Sequence, residues 1–358
     1  MDGQEISLMP YYDWGKTLSH SNTAMFLVIS SRGFGKTYGM RKTAINSFLK
    51  DGSNFVEVVR YKSELADVQN EYFSKLELNN EFPNHIFKVH GNSGYIAEKP
   101  KTEDEKPEWK HLCYFVALSV QQKAKKRTFA NVRYMIFDEF LISNNTFPGY
   151  LRNEYGEFLN LFDSIAREIP GQGTKLKAVL LGNSCNLVNP YFAAFGINKE
   201  PSYGYHFYNG KMVLLHYVEP GEYGELKKET TVGKLARNTT AASVMLENKF
   251  DDANDSYIGK KPKNAKFDFG MIYRGQQFGI WLDEIESYYY VTPKIPNGTN
   301  RPVFSLTTPD NRPNFIILNK SDKRLKAFLN LYYMGIVRYE TPALREKFFK
   351  ALTVFGIR

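Results

Sequence analysis

The chain of 358 residues is 42% hydrophobic and 24% charged, and its 47 Lys and Arg against 38 Asp and Glu leave a formal net charge of +9. At about 150 residues per domain this length predicts two domains, and the ordinary composition excludes a disordered, collagen-like or linker-like chain. Two distant cysteines, Cys113 and Cys185, argue against a zinc site or disulfide framework, and no apolar run approaches the roughly 18 residues of a membrane helix. The opening Met1-Asp2-Gly3-Gln4-Glu5 lacks the regions of a signal peptide, so the expectation is a soluble intracellular protein whose basic excess attracts polyanions such as nucleic acid.

Residues 24–29 form a short apolar run that predicts a buried strand, and residues 38–49 have helical character. Between them lies Ser31-Arg32-Gly33-Phe34-Gly35-Lys36-Thr37, a match to the phosphate-loop pattern G-x-x-x-x-G-K-[ST] with Ser30 at the first glycine position. The residue types suit the chemistry. Glycines let backbone N–H groups turn toward phosphate oxygens, and the following helix N-terminus adds a favourable dipole. Lys36 is expected to reach the β- and γ-phosphates of ATP and the Thr37 hydroxyl to ligate Mg²⁺. Ser31, Arg32, Gly33, Phe34, Gly35, Lys36, Thr37 and Tyr38 are therefore the expected nucleotide contacts.

Further strands are predicted over 54–60, 85–90 and 112–119, interrupted by a charged, two-proline surface excursion at 99–110. Lys123, Lys125, Lys126 and Arg127 place four cations within five residues, which suits contacts to nucleic-acid phosphates as well as it suits a solvated loop. The apolar strand 132–137 then delivers Asp138 and Glu139 at its end, the form of a Walker B strand. Asp138 is expected to hold Mg²⁺, mainly through its water shell, and Glu139 to act as general base. The 101 positions between Thr37 and Asp138 leave room for extra parallel strands, the arrangement of ring-forming motors with a catalytic glutamate (the ASCE type).

Apolar residues at Tyr155, Phe158, Leu159, Phe162, Ile165 and Ala166 mark an amphipathic helix over 152–167, ended by Pro170 and Gly171. Its last residue, Arg167, either complements the helix dipole or serves as an arginine finger for a neighbouring subunit. The strand 177–181 leads to Asn183, a γ-phosphate sensor or a simple turn asparagine. Together these runs predict a mostly parallel sheet covered by helices over 1–195. Residues 196–228, rich in Gly, Tyr and Pro, read as a connector with some structure of its own. From 229 a smaller α+β domain is expected, with strands over 267–274, 277–283, 287–292, 303–307 and 315–318 and helices over 322–337 and 342–354. Its helices carry Lys320, Lys323, Arg324, Lys326, Arg338, Arg345, Lys347 and Lys350, a surface for DNA, RNA or another protein. Asp268, Asp283, Glu284 and Glu286 suit hairpin edges as well as they suit a metal-dependent nuclease.

The chain resembles the DNA-packaging ATPases (encapsidation proteins) of small phi29-like tailed phages. The resemblance is carried by the phosphate loop, Val59-Arg60-Tyr61-Lys62-Ser63-Glu64-Leu65, Phe137-Asp138-Glu139-Phe140, Leu161 to Arg167, Leu181-Gly182-Asn183-Ser184, Val188-Asn189-Pro190-Tyr191-Phe192 and, more weakly, Phe278-Gly279-Ile280-Trp281-Leu282-Asp283. It implies an N-terminal P-loop ATPase domain, a connector and a C-terminal RNase H/nuclease-like domain without catalysis. It also implies a homo-oligomeric ring, a pentamer, docked at the portal vertex of the prohead, translocating double-stranded DNA and often binding a prohead RNA. Arg167 matches the family's trans-acting arginine, and Arg60 and Lys62 match a basic segment that acts across the subunit interface. Such a protein works in the host cytoplasm, docked transiently at the procapsid. The loop after Glu139, residues 141–145, carries no positive charge. The alternatives are a terminase-type ATPase that also cuts DNA with metal ions, and a non-catalytic nucleic-acid scaffold.

Overall fold

The structure, a computed structural model, describes residues 12–102, 104–120, 128–143, 149–167, 175–197, 199–239, 241–250, 257–317 and 322–355. The chain divides into two units, one from residues 1–185 and 201–250, the other from residues 186–200 and 251–358.

The first unit is built on nine strands: β1 Met25–Ile29, β2 Asn54–Val59, β3 His85–His90, β4 Ser93–Glu98, β5 Lys110–Ala117, β6 Val132–Asp138, β7 Lys177–Gly182, β8 Gly204–Tyr208 and β9 Val213–Tyr217. Their order is β3-β4-β5-β2-β6-β7-β1-β9-β8. The six from β5 to β9 pair in parallel, and β3, β4 and β8 close the edges antiparallel. Strands buried on both faces must be apolar throughout; β1 (Met-Phe-Leu-Val-Ile) is buried at every position, as are five of the six residues of β7. The expected parallel sheet is therefore present. The helix Lys36–Asp51 crosses one face and buries Met40, Ala44 and Ile45, one helical stripe.

The connector expected at 196–228 is corrected by the sheet. Its residues form β8 and β9, and β9 lies beside β1 with Met25 opposite Val213 and Ile29 opposite Tyr217. The strand Val-Leu-Leu-His-Tyr has the buried apolar residues of an interior partner, but the surrounding Gly, Tyr and Pro hide so short a hairpin from any periodicity. The helices Gly221–Glu229, Thr231–Ala236 and Ala241–Leu246 also belong to this first unit.

The second unit carries a sheet of order β14-β13-β10-β11-β12-β15, from β10 Lys266–Tyr273, β11 Gln276–Asp283, β12 Tyr288–Thr292, β13 Val303–Ser305, β14 Ile316–Ile317 and β15 Val337–Tyr339. The β10–β11 hairpin turns through Arg274 and Gly275, both at positive φ (49° and 76°), the backbone a two-residue type I′ loop demands. Both turn amides donate to the Asp310 carboxylate. Helices Lys323–Tyr333 and Pro342–Leu352, capped by Asp322 and Thr341, cover a core that includes Phe269, Phe278, Ile280, Phe328 and Phe348. The first of these helices stops short of the expected residue 337. Gly335, at φ 74°, reverses the chain so that Val337–Tyr339 can pair with β12. Among the described residues no helix is long and apolar enough to cross a membrane.

His216 of β9 shows how tightly the sheet edge is closed. Its Nδ1 lies 2.7 Å from the Tyr12 hydroxyl and its ring stacks on Tyr205 at 3.9 Å. Burial, reinforced by the positive charge of Lys16, pulls its pKa down to about 4. The neutral ring is thus favoured in the fold, and its stabilisation is complete above the unfolded pKa of about 6.5 and lost as pH falls toward 4. Denaturant unfolding at pH 7, 5.5 and 4.5 should show the stability gap between wild type and His216→Gln narrowing with acid; a gap independent of pH would refute this.

Candidate nucleotide site

Three neighbouring parallel strands, β6, β7 and β1, end together, and the site is made where they end. Ser30 continues β1 and donates its N–H to the Gly182 carbonyl of β7 at 3.2 Å. The chain then turns through Gly33 and Gly35 at φ 89° and 75°, left-handed conformations that favour glycine, and Gly35 caps the helix Lys36–Asp51. The Ser30 hydroxyl donates to the Ser31 carbonyl at 3.2 Å, so serine is accommodated at the first glycine position of the pattern. Trp14 braces the helix start by donating Nε1–H to the Lys36 carbonyl at 3.0 Å.

Four of the expected side chains meet in two bonds. Lys36 Nζ donates to Asn183 Oδ1 at 2.7 Å and, more weakly, to the Ser30 carbonyl at 3.4 Å. Thr37 Oγ1 donates to Asp138 Oδ2 at 2.8 Å, across 101 positions of sequence. Asp138 also accepts the Glu139 N–H at 2.9 Å, and Glu139 itself, at φ 54°, is exposed at the strand end. Burial pulls the Lys36 pKa down to about 8 against the opposing pull of the Asp138 carboxylate. A buried ammonium under that penalty gains from any further anion.

The donor set fits a magnesium nucleotide. Helix N-terminal amides and Lys36 suit phosphate oxygens, and the paired hydroxyl and carboxylate of Thr37 and Asp138 are the hard oxygen ligands Mg²⁺ prefers. Beside them a cavity of about 690 Å³ runs along the loop and is walled by Phe34, Tyr38, Arg41, Tyr72, Lys75 and Asn79. That volume lies within the usual range of small-molecule sites. Tyr38 hydrogen-bonds through its hydroxyl to Glu81. Arg32 is exposed, and its carbonyl accepts from Tyr223 and Lys227.

Arg60 requires a correction. It is turned into its own chain: it is 5% exposed and forms a bidentate pair with Glu154, Nε and Nη2 to the two carboxylate oxygens at 2.8 and 3.0 Å. The same Nη2 donates to the carbonyls of Glu139 and Phe140 at 3.1 and 3.0 Å, so the pair holds the turn that carries Glu139. Lys62 remains exposed. Glu154 begins the helix Glu154–Ala166, and Arg167 caps its far end at φ 43°, exposed. Sequence reasoning missed Glu154, Tyr223 and Lys227. None lies in a recognisable motif, and each meets its partner only through the fold.

Lys123, Lys125, Lys126 and Arg127 lie outside the described residues. In the second unit Asp283 accepts the N–H groups of Ile285 and Glu286 in its own turn, Glu284 pairs with Lys266 across the hairpin at 2.6 Å, and Asp268 lies 3.8 Å from Arg324 of the helix Lys323–Tyr333. Among the described residues no three His, Cys, Asp or Glu side chains are grouped to hold a metal ion.

A parallel sheet whose strand ends join a glycine loop, a buried lysine and a threonine–aspartate pair is the arrangement of a P-loop nucleotide-binding protein. The family model for the podovirus DNA encapsidation protein (Gp16) matches residues 6–354, and the chain belongs to that family of DNA-packaging motor proteins. The DNA packaging protein of Bacillus phage phi29 is 30% identical over 339 residues, 94% of this chain and 95% of that protein. That of Bacillus phage B103 is 30% identical over 320 residues, 89% of this chain and 93% of that protein. Among solved structures, a chain of the phi29 viral genome packaging motor assembly superposes with a TM-score of 0.69 at 25% identity, covering 97% of this chain and all of that one. The crystal structure of the N-terminal domain of the phi29 packaging ATPase covers 60% of this chain and 98% of its own, with a TM-score of 0.50 at 31% identity.

Because Arg60 is paired inside its own chain, Arg60→Ala should strip Glu154 of its partner and destabilise the protein by about 3–5 kcal/mol. Denaturant unfolding tests this; unchanged stability would return Arg60 to a role between subunits.

Proposed function

We propose that the protein hydrolyses ATP between the glycine loop and the end of β6 and uses it to drive double-stranded DNA into a preformed capsid. The observation that carries the reading is the bond of Thr37 to Asp138, with the Lys36–Asn183 bond beside it. Lys36 and the loop amides bind the phosphates, and Thr37 and Asp138 hold the magnesium ion, which when bound neutralises phosphate charge. Glu139 accepts the proton of the attacking water, for which its exposed place one residue beyond Asp138 is suited. Asn183, already bonded to Lys36, reports the arrival of the γ-phosphate through that lysine.

Arg167 is assigned to the site of the next subunit. Its support is the exposed place at the end of a helix whose other end is locked to the Glu139 turn by Arg60. The protein then works as a homo-oligomeric ring, a pentamer, at the portal of the prohead in the host cytoplasm, with a prohead RNA as a further partner. Lys123, Lys125, Lys126 and Arg127 are assigned to DNA phosphates on charge alone. The second unit is assigned to an RNase H-like fold without catalysis. The support is a meander β10-β11-β12 extended from β10 by β13 and β14 in parallel, with Asp283 already bonded within its own turn.

In a nucleotide-binding and DNA-stimulated turnover assay, Lys36→Ala should lose nucleotide binding, whereas Glu139→Gln should bind ATP and lose turnover by about 10²–10⁴-fold. Full turnover in Glu139→Gln would remove its assigned role. Arg167→Ala should be inactive alone and regain part of its turnover when mixed with Lys36→Ala subunits, since each supplies what the other lacks; absence of complementation in mixed rings would place Arg167 elsewhere.

A further inference from the structure

The helix Gly221–Glu229 lies directly on the phosphate loop. The Tyr223 hydroxyl and Lys227 Nζ, four positions apart and so on one face, donate to the same acceptor, the Arg32 carbonyl, at 3.1 and 3.0 Å. Tyr223 meets the Phe34 ring edge-on at 4.8 Å. A Cβ on Gly33 would stand 2.2 Å from the Tyr223 hydroxyl, so this contact as well as the backbone requires glycine there.

The chain beyond these helices is pinned to the strand ends that form the site. Asn248, which follows the three helices and is fully buried, donates to the carbonyls of Ile29 and Val218 at 3.4 and 2.9 Å and accepts from Ser184 at 2.9 Å. It therefore ties the end of β1, the end of β9 and the residue after Asn183 together. The segment that carries Lys227 therefore runs from Val218 to Asn248, both bonded to the end of β1.

Its charge has no evident purpose in the loop alone. Lys227 joins Arg32 and Lys36 as a third cation around one turn of backbone. Burial and Arg32 hold its pKa below the usual lysine value, while its own charge works against that of Lys36. A lysine ammonium carries three donors, and the Arg32 carbonyl takes one. The three cations repel one another, opposed at Lys36 by the Asp138 and Glu139 carboxylates, and a second lysine matches the extra charge that a triphosphate has over a diphosphate.

We propose that Lys227 is a phosphate-contacting residue of the nucleotide site, which leaves the Arg32 carbonyl for the terminal phosphate of a bound triphosphate. This rests on the nucleotide reading above and assigns to that site a residue from the segment expected to be a connector. Movement of Lys227 would also carry the state of the nucleotide into the helices of residues 221–246.

The test is calorimetric titration of the full-length chain with magnesium and either a non-hydrolysable ATP analogue or ADP. Lys227→Gln should bind the analogue about tenfold more weakly, with ADP changed less than about threefold, and Lys227→Arg should retain the preference of the wild type. Tyr223→Phe, which keeps the charge and removes one loop bond, should not alter the ratio of the two affinities. Wild-type affinity for the analogue in Lys227→Gln, or equal losses for both nucleotides, would overturn the proposal, the second result assigning Lys227 to loop bracing. Lys36→Ala in the same titration separates the failures: if it binds both nucleotides normally, the nucleotide reading itself falls.

Discussion

The bond between the Thr37 hydroxyl and the Asp138 carboxylate joins the first turn of a helix to the end of a strand 101 residues later. It can form only if β1 and β6 end at the same level, with β7 between them, and the parallel pairing of all three supplies that level. Polar groups at such strand ends lie where a crevice opens and water has access, so they escape the desolvation that an interior position would impose. Lys36 is the exception. It is buried, its charge is disfavoured by that burial, and the Asn183 oxygen and the nearby Asp138 compensate in part. In the function proposed above, a phosphate offsets the remainder.

A second buried charge acts on the same strand end. Removing Arg60 and Glu154 from water is expensive, and an apolar pair of similar volume would stabilise the fold as well or better. What an apolar pair lacks is direction. The planar guanidinium, held by Glu154, aims a donor at the carbonyls of Glu139 and Phe140 and so fixes the turn, including a glutamate at a positive φ that this residue type seldom adopts. Glu154 also begins the helix that ends in Arg167. One ion pair therefore links the acidic end of β6 to an element that reaches the exposed surface about 20 Å of helix away.

The phosphate loop was legible because its constraint is local: two glycines with left-handed backbones, then a lysine and a threonine in the first helical turn. The β10–β11 hairpin was legible for a similar reason, since Gly275 permits the turn that its neighbours define. The residues around Asn183 leave two readings open, and its bond to Lys36 shows where the side chain lies. The connector was misread because β9 has five residues, too few for a period, and its partner β1 is almost 190 positions earlier.

The sequence by itself determined the elements whose geometry depends on neighbours along the chain: buried apolar strands, the amphipathic helix before Arg167, and the glycine turns. Tertiary structure decided which strand lies beside β1, that Arg60 pairs 94 positions away within its own chain, and that Lys227 meets Arg32 across 195. Periodicity reports burial and backbone conformation but holds no record of which distant polar group will share that burial. A buried charge must find a partner, and only the packed chain selects one.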